Sequence, residues 1–319
     1  MSATLQVRVR RAVSEAEDIR SFELVREDGG PLPAFGAGAH IDVHLRDGLV
    51  RQYSLCNPPR ETERYVIGVL RDPASRGGSR AMHDEIQEGS VLRISEPKNH
   101  FPLTRAPRSL LLAGGIGVTP ILAMAESLAA DGADFDMHYA TRAPERTAFR
   151  DRIAGAPYAE RVRFYHDTDA AGPKLDVPAL LAAEDAGTHL YVCGPGGFIA
   201  HVVESAKALG WPQERVHLEY FAGAAVETGG DAAFDVKLAS SGRVIAVPAG
   251  TTVMQALADQ GVHIPVSCEQ GVCGTCLTRV LDGVPDHRDL YLTDEERAAN
   301  DQFTPCCSRS KSGTLVLDL

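Results

Sequence analysis

The cysteines constrain this chain more than any other feature. Of seven, five fall between Cys268 and Cys307. Their spacing is Cys268-x4-Cys273-x2-Cys276, with Cys306 and Cys307 side by side far downstream. Three thiols on one short loop and a distant fourth form the plant-type pattern for a [2Fe–2S] cluster held by four thiolates. The alternatives are a zinc site or buried free cysteines. Structural zinc usually draws on two closely spaced ligand pairs, which this pattern lacks. Gly271, Gly274 and Thr275 lie among the ligands. Small residues let a loop wrap tightly and aim backbone N–H groups at sulfur. Neighbours in an extended segment face opposite ways, so one of Cys306 and Cys307 is expected to reach the iron, with Cys306 preferred.

Grouped thiols of this kind fit a reducing compartment. The first eleven residues are polar and alternating, without the apolar stretch of a secretion signal. The most apolar run, residues 109–125, is broken by Gly114, Gly115, Gly117 and Pro120, so no membrane span is expected. A cytoplasmic protein is the expectation. With 32 basic and 43 acidic residues the formal charge is −11, which disfavours nucleic acid and anionic membrane surfaces as partners.

The 319 residues permit two or three domains. Short alternating runs over the first hundred residues, such as Leu5-Val7-Val9 and Ile41-Val43-Leu45, predict an antiparallel β-barrel. A helix is predicted at 80–88, with Met82 and Ile86 on one face. From residue 109 the pattern becomes strand, turn, helix, repeated. Strands at 109–113, 135–139, 162–165 and 189–193, with helices at 119–130 and 198–209, predict a doubly wound α/β domain. Residues 224–231 are small and glycine-containing, as in a linker. Beyond them a hairpin (234–238 and 244–247) and a helix (252–260) precede the cysteines. The expected division is 1–105 barrel, 106–223 α/β, 224–231 linker and 232–319 cysteine domain.

Two segments in the barrel suit a flavin. Arg51-Gln52-Tyr53-Ser54 offers a cation, an aromatic face and a hydroxyl within four residues. Arg76-Gly77-Gly78-Ser79 precedes the predicted helix, and glycines with a capping serine at a helix start make an anion site. No long segment for an adenine group follows, so FMN fits better than FAD. Another segment suits a nicotinamide nucleotide. Gly114-Gly115-Ile116-Gly117-Val118-Thr119-Pro120 ends a buried strand and opens a helix, allowing close approach to a pyrophosphate. Cys193-Gly194-Pro195 ends a second buried strand. A ribose 2′-hydroxyl pairs with a carboxylate, whereas a 2′-phosphate needs cations. Asp167, after one strand, disfavours a phosphate. Arg142, after another, could reach the nucleotide. NADH is therefore preferred over NADPH.

The segment PVSCEQGVCGTC, followed by DHRD and PCCSR, resembles the ferredoxin domain of the phthalate dioxygenase reductase family. The R-x-Y-S, G-G-x-G-x-T-P and C-G-P elements resemble the same family's flavin and nucleotide domains. The resemblance implies a flavin β-barrel, an α/β nucleotide domain and a β-grasp ferredoxin domain. It implies Cys268, Cys273, Cys276 and Cys306 as cluster ligands. It implies FMN, with its phosphate near Arg76, Gly77, Gly78 and Ser79. It places Cys193 near the nicotinamide, Thr119 at the flavin edge and Phe221 against the flavin ring.

These sites compose one device. NADH carries electrons in pairs and a [2Fe–2S] cluster accepts them singly, and a flavin handles both. The expected path runs NADH, FMN, [2Fe–2S], then an external acceptor. The resemblance implies a Rieske-type terminal oxygenase of an aromatic ring-hydroxylating or O-demethylating system, docked transiently by a monomeric reductase. Another monooxygenase or N-demethylase acceptor is one alternative, and a non-catalytic redox sensor is the other. Between Asp282 and Asp301 lie seven acids against Arg288 and Arg297, a net of 2 − 7 = −5. Such a surface could steer a partner.

Overall fold

A computed structural model describes residues 4–73, 77–221, 231–266 and 268–319, with the backbone alone at Asp47. The chain divides into two compact units, Met1–Phe221 and Ala222–Leu319.

The first unit opens with six antiparallel strands: β1 (Thr4–Ala16), β2 (Ile19–Arg26), β3 (His40–His44), β4 (Val50–Ser54), β5 (Tyr65–Leu70) and β6 (Val91–Ser95). Their order is β4-β3-β6-β1-β2-β5. A bridge between Leu55 and Ile67 links the two edges and closes the barrel. Alternation along the strands sends Val7, Phe22, Leu24, Ile41, Tyr65 and Ile67 into one interior cluster. The helix α1 (Gly78–Asp84) sits two residues earlier and ends four sooner than its pattern suggests. Gly77, at φ 94°, starts it, and Gly89, at φ 88°, turns the chain back into β6. Met82 and Ile86 still join the barrel core together.

Five parallel strands follow: β7 (Arg108–Gly114), β8 (Asp134–Thr141), β9 (Val162–His166), β10 (Thr188–Cys193) and β11 (Val216–Glu219). Four helices accompany them: α2 (Val118–Ala130), α3 (Arg150–Ala154), α4 (Val177–Ala182) and α5 (Gly196–Ala208). The order β11-β10-β7-β8-β9 reverses direction between β7 and β10. In open α/β sheets that reversal leaves a crevice beyond the carboxyl ends of the strands, where ligands bind. Both faces of β7 are buried, which is why its sequence is a continuous apolar run. Leu111 and Ala113 pack toward α2 with barrel residues Ile19, Ala37 and Cys56. Leu110 and Leu112 pack toward α4 and α5. Barrel and sheet thus share a core.

The second unit is a mixed five-stranded sheet. Its strands are β12 (Phe234–Leu238), β13 (Val244–Val247), β14 (Thr278–Asp282), β16 (Gln302–Phe303) and β18 (Thr314–Leu317). A small ladder joins β15 (Pro285–Asp286) to β17 (Arg309–Ser310). The order is β13-β12-β18-β14-β16, with β12 and β18 parallel. Helix α6 (Val253–Asp259) lays Val253, Ala256 and Leu257 on the sheet, as in a β-grasp fold. Helix α7 (Asp294–Ala299) starts with a reciprocal cap between Thr293 and Glu296. Most of the expected linker lies outside the described residues. Its last residue, Asp231, is tied into the second unit by Arg288 at 2.8 Å and Arg309 at 3.3 Å. The buried Arg309 also donates to the carbonyls of Thr251, Ala232 and Pro248.

Candidate redox sites

The crevice at the sheet reversal gathers most of the nucleotide residues. Gly117 lies so close to the end of β10 that a Cβ there would stand 2.3 Å from the Cys193 carbonyl oxygen. A Cβ on Gly194 would stand 2.9 Å from Gly114 Cα. The two glycine turns therefore interlock, and each needs its glycines. Gly115, at φ 53°, has open space where a Cβ would be, as do Gly196 and Gly197 at the start of α5. This open, glycine-lined cleft beside a helix N-terminus suits a pyrophosphate.

Cys193 is fully buried at the end of β10, paired in register with Glu219 on β11. Burial pushes its thiol well above the ordinary range, and the neighbouring Glu219 carboxyl adds to that. Cys193 is therefore a neutral thiol rather than a nucleophile. Glu219 is the residue that sequence reasoning passed over. Enclosure of its carboxyl raises its pKa to about 8, against a smaller opposing effect of the Ser54 hydroxyl. Ser54 Oγ donates to Glu219 Oε2 at 3.5 Å. Its signal was an acid at the end of a strand, two residues before Phe221.

Ser54 is buried at the end of β4, opposite His40 on β3. Tyr53 precedes it, and enclosure pushes its phenol above the ordinary range. Arg51 lies over Gly78 at the start of α1, where a Cβ would stand 2.4 Å from the arginine Cγ. Arg76 falls outside the described residues. Ser79 does not cap the helix as expected. The helix begins one residue earlier, and the Ser79 hydroxyl accepts the Asp72 N–H at 3.2 Å instead. Thr119 is buried in the first turn of α2, and a Cβ on barrel Gly68 would stand 2.8 Å from its methyl. Phe221 is 39% exposed. Arg142 and Asp167 are both exposed, on neighbouring loops where the Thr168 N–H donates to the Arg142 carbonyl. Lys174 lies beside them, with its ammonium donating to the carbonyls of His166, Asp167 and Asp169.

In the second unit the thiols of Cys268, Cys273, Cys276 and Cys306 come together. Cys268 meets Cys273 and Cys306, and Cys276 meets Cys306. Hydrogen bonds from Cys273 and Cys306 hold the Cys268 thiol far below its ordinary range. The backbone N–H groups of Gln270 and Val272 also donate to Cys268 Sγ, at 3.4 and 3.5 Å. Cys273 Sγ and Thr275 Oγ1 are hydrogen-bonded at 3.2 Å. A set of four thiols with inward N–H donors fits a [2Fe–2S] cluster. Cys307 contacts Cys306 but bonds to Thr304 at 3.2 Å and packs where a Gly271 Cβ would go.

Comparison with known proteins agrees with this geometry. Residues 236–311 match the 2Fe-2S iron-sulfur cluster binding domain family. Residues 99–216 match the N-terminal domain of dimethylamine monooxygenase subunit DmmA-like proteins. A vanillate O-demethylase oxidoreductase of Pseudomonas sp. strain HR199 is 57% identical, covering 95% of this chain and 96% of its own. A solved phthalate dioxygenase reductase, described as a modular structure for electron transfer from pyridine nucleotides to [2Fe-2S], superposes with a TM-score of 0.78 at 39% identity, covering 99% and 98%. A self-sufficient cytochrome P450 monooxygenase matches 99% of this chain with 41% of its own, at a TM-score of 0.85 and 40% identity.

The fold and sites define an oxidoreductase, the reductase component of an oxygenase system. The chain belongs to the phthalate dioxygenase reductase family. Among the described residues no helix is long and apolar enough to cross a membrane.

Proposed function

We propose that this reductase takes electrons from NADH and delivers them, through FMN and a [2Fe–2S] cluster, to a Rieske-type oxygenase acting on an aromatic or O-methylated substrate. One observation carries the proposal. Ser54, from the expected flavin strand, meets Glu219 beside Cys193, at the crevice that suits a nucleotide. The expected flavin strand and the strand beside the Cys193 turn thus share a hydrogen bond.

When bound, nicotinamide, flavin and cluster supply the electron chemistry. The protein's residues do the rest. Tyr53, Ser54, Arg51, Gly77, Gly78, Ser79 and Arg76 would hold the flavin, with Thr119 and Phe221 at its edges. Gly114, Gly115, Gly117, Gly194 and Pro195 admit the nucleotide backbone, and Arg142 and Asp167 receive its ribose. Cys193, buried and neutral, would add no charge beside the nicotinamide ring. Glu219 holds its proton up to about pH 8, so this carboxyl adds no charge there at neutral pH. Lys174 has its ammonium bonded to three carbonyls, which leaves Asp167 to decide for NADH. Cys268, Cys273, Cys276 and Cys306 hold the cluster. We place the protein in the cytoplasm as a monomer that docks its acceptor transiently.

The test is anaerobic mixing with NADH. Flavin absorbance should bleach first and cluster absorbance second. A flavin that ignores NADH defeats the proposal and favours a redox sensor. A second acceptor class is favoured by one finding: this chain's length matches a segment of a P450 monooxygenase. Rapid reduction of a P450, with no transfer to any Rieske oxygenase, would choose it.

A further inference from the structure

The segment that follows β15 crosses the cysteine loop and is fastened to it at several points. The Leu290 N–H donates to the Gly271 carbonyl at 2.9 Å. That carbonyl lies midway between Cys268 and Cys273. The next residue, Tyr291, lays its ring on Gly274, between Cys273 and Cys276. A Cβ on Gly274 would stand 2.3 Å from the ring, and the residue holds φ 66°. Glycine is thus needed there both for backbone conformation and for the ring's closeness.

The ring's position is set by Asp289. One carboxylate oxygen accepts the N–H groups of Tyr291 at 3.1 Å and Leu292 at 2.7 Å. The other accepts the Ser308 hydroxyl at 3.4 Å. The Asp289 side chain is fully buried, and Arg297 donates to its carbonyl at 2.6 Å. The crossing segment is therefore pinned to the first cysteine loop and to the turn that carries Cys306. Leu290 points outward and is 38% exposed, while Tyr291 faces the loop. The ring thus lies on the first of the two residues between Cys273 and Cys276.

We propose that Tyr291 is a positioning residue of the iron–sulfur site, a cover over Gly274 that limits the reach of water and solutes to the cluster. The proposal rests on Cys273 and Cys276 being ligands. Reduction adds negative charge to a cluster, and nearby water stabilises that charge. Uncovering the loop should therefore raise the midpoint potential. It should also open a route for solutes that extract iron.

The experiment uses the full chain with its cofactors. Tyr291→Ala and Tyr291→Phe are compared with the unaltered protein by redox titration of the cluster's paramagnetic signal and by bleaching of its visible absorbance under EDTA. Tyr291→Ala should raise the potential and speed bleaching several-fold, while Tyr291→Phe keeps both values. Unchanged values in Tyr291→Ala overturn the proposal, and so does an equal effect in Tyr291→Phe, which would assign the role to the hydroxyl. If Tyr291→Ala yields no folded protein, Tyr291→Val carries the same test, since its short side chain also leaves Gly274 uncovered. Cys276→Ser is run in parallel. If it keeps the ordinary cluster spectrum, the ligand assignment has failed. If it loses that spectrum while Tyr291→Ala changes nothing, only the cover has failed.

Discussion

Replacing Glu219 by glutamine should flatten the pH dependence of the first unit's stability. The folded carboxyl titrates near pH 8, against an ordinary value of 4.5. The folded chain therefore keeps a proton that the unfolded chain releases throughout that window. Stability contributed by this group is fully present below pH 4.5 and is lost as pH rises toward 8. The slope is about 1.4 kcal/mol per pH unit, with an upper limit of about 5 kcal/mol over the window. Between about pH 5.5 and 7.5 the unaltered protein should lose roughly 2 to 3 kcal/mol relative to Glu219→Gln. Urea unfolding followed by tryptophan fluorescence measures it cleanly. Trp211 is the chain's single tryptophan, and it packs against the sheet core of the first unit. Parallel losses in the two proteins would show that Glu219 is not the titrating group. Flavin reduction by NADH should inflect near pH 8 in the unaltered protein and lose that inflection in Glu219→Gln.

Cys306→Ser should lose the cluster's visible absorbance and bound iron, whereas Cys307→Ser should keep both, because Cys306 meets Cys268 and Cys276 while Cys307 meets Cys306 and Thr304. Gly117→Ala should raise the KM for NADH several-fold and cost about 1 to 3 kcal/mol by overpacking against the Cys193 backbone, measurable by steady-state kinetics and the same urea titration. Asp294→Asn with Glu295→Gln should slow reduction of the oxygenase and weaken its dependence on salt, in stopped-flow mixing. Glu296 is left in place there because its carboxylate caps α7. An unchanged salt dependence would remove steering as its role.

Much of this was legible because it is local. The hairpin strands at 234–238 and 244–247 match their alternating pattern residue for residue. The spacing of four cysteines already implies that one loop and one distant turn must meet. Spacing alone does not separate Cys306 from Cys307, since the two are adjacent and both are buried. Strand β11 escaped notice because four residues, one an acid, carry little periodicity. Glu219 matters through Ser54, which lies 165 positions away, so no spacing rule connects them. Ser79 was misread because serine before a predicted helix resembles a cap. A left-handed glycine at Gly77 began the helix first. Tyr291 gave no signal, because the glycine it covers is indistinguishable in sequence from any loop glycine.

The anchoring of Asp231 has a practical side for protein engineering. Arg309 stands three residues beyond Cys306, and its guanidinium reaches Asp231, Ala232, Pro248 and Thr251. The first described residues of the second unit are thus fastened to the turn that carries Cys306. A free-standing iron–sulfur fragment must begin at or before Asp231. Cut a few residues later, it would leave a buried guanidinium without its counter-charge, a loss of several kcal/mol beside the cluster. Cut in the stretch just upstream, it keeps that ion pair.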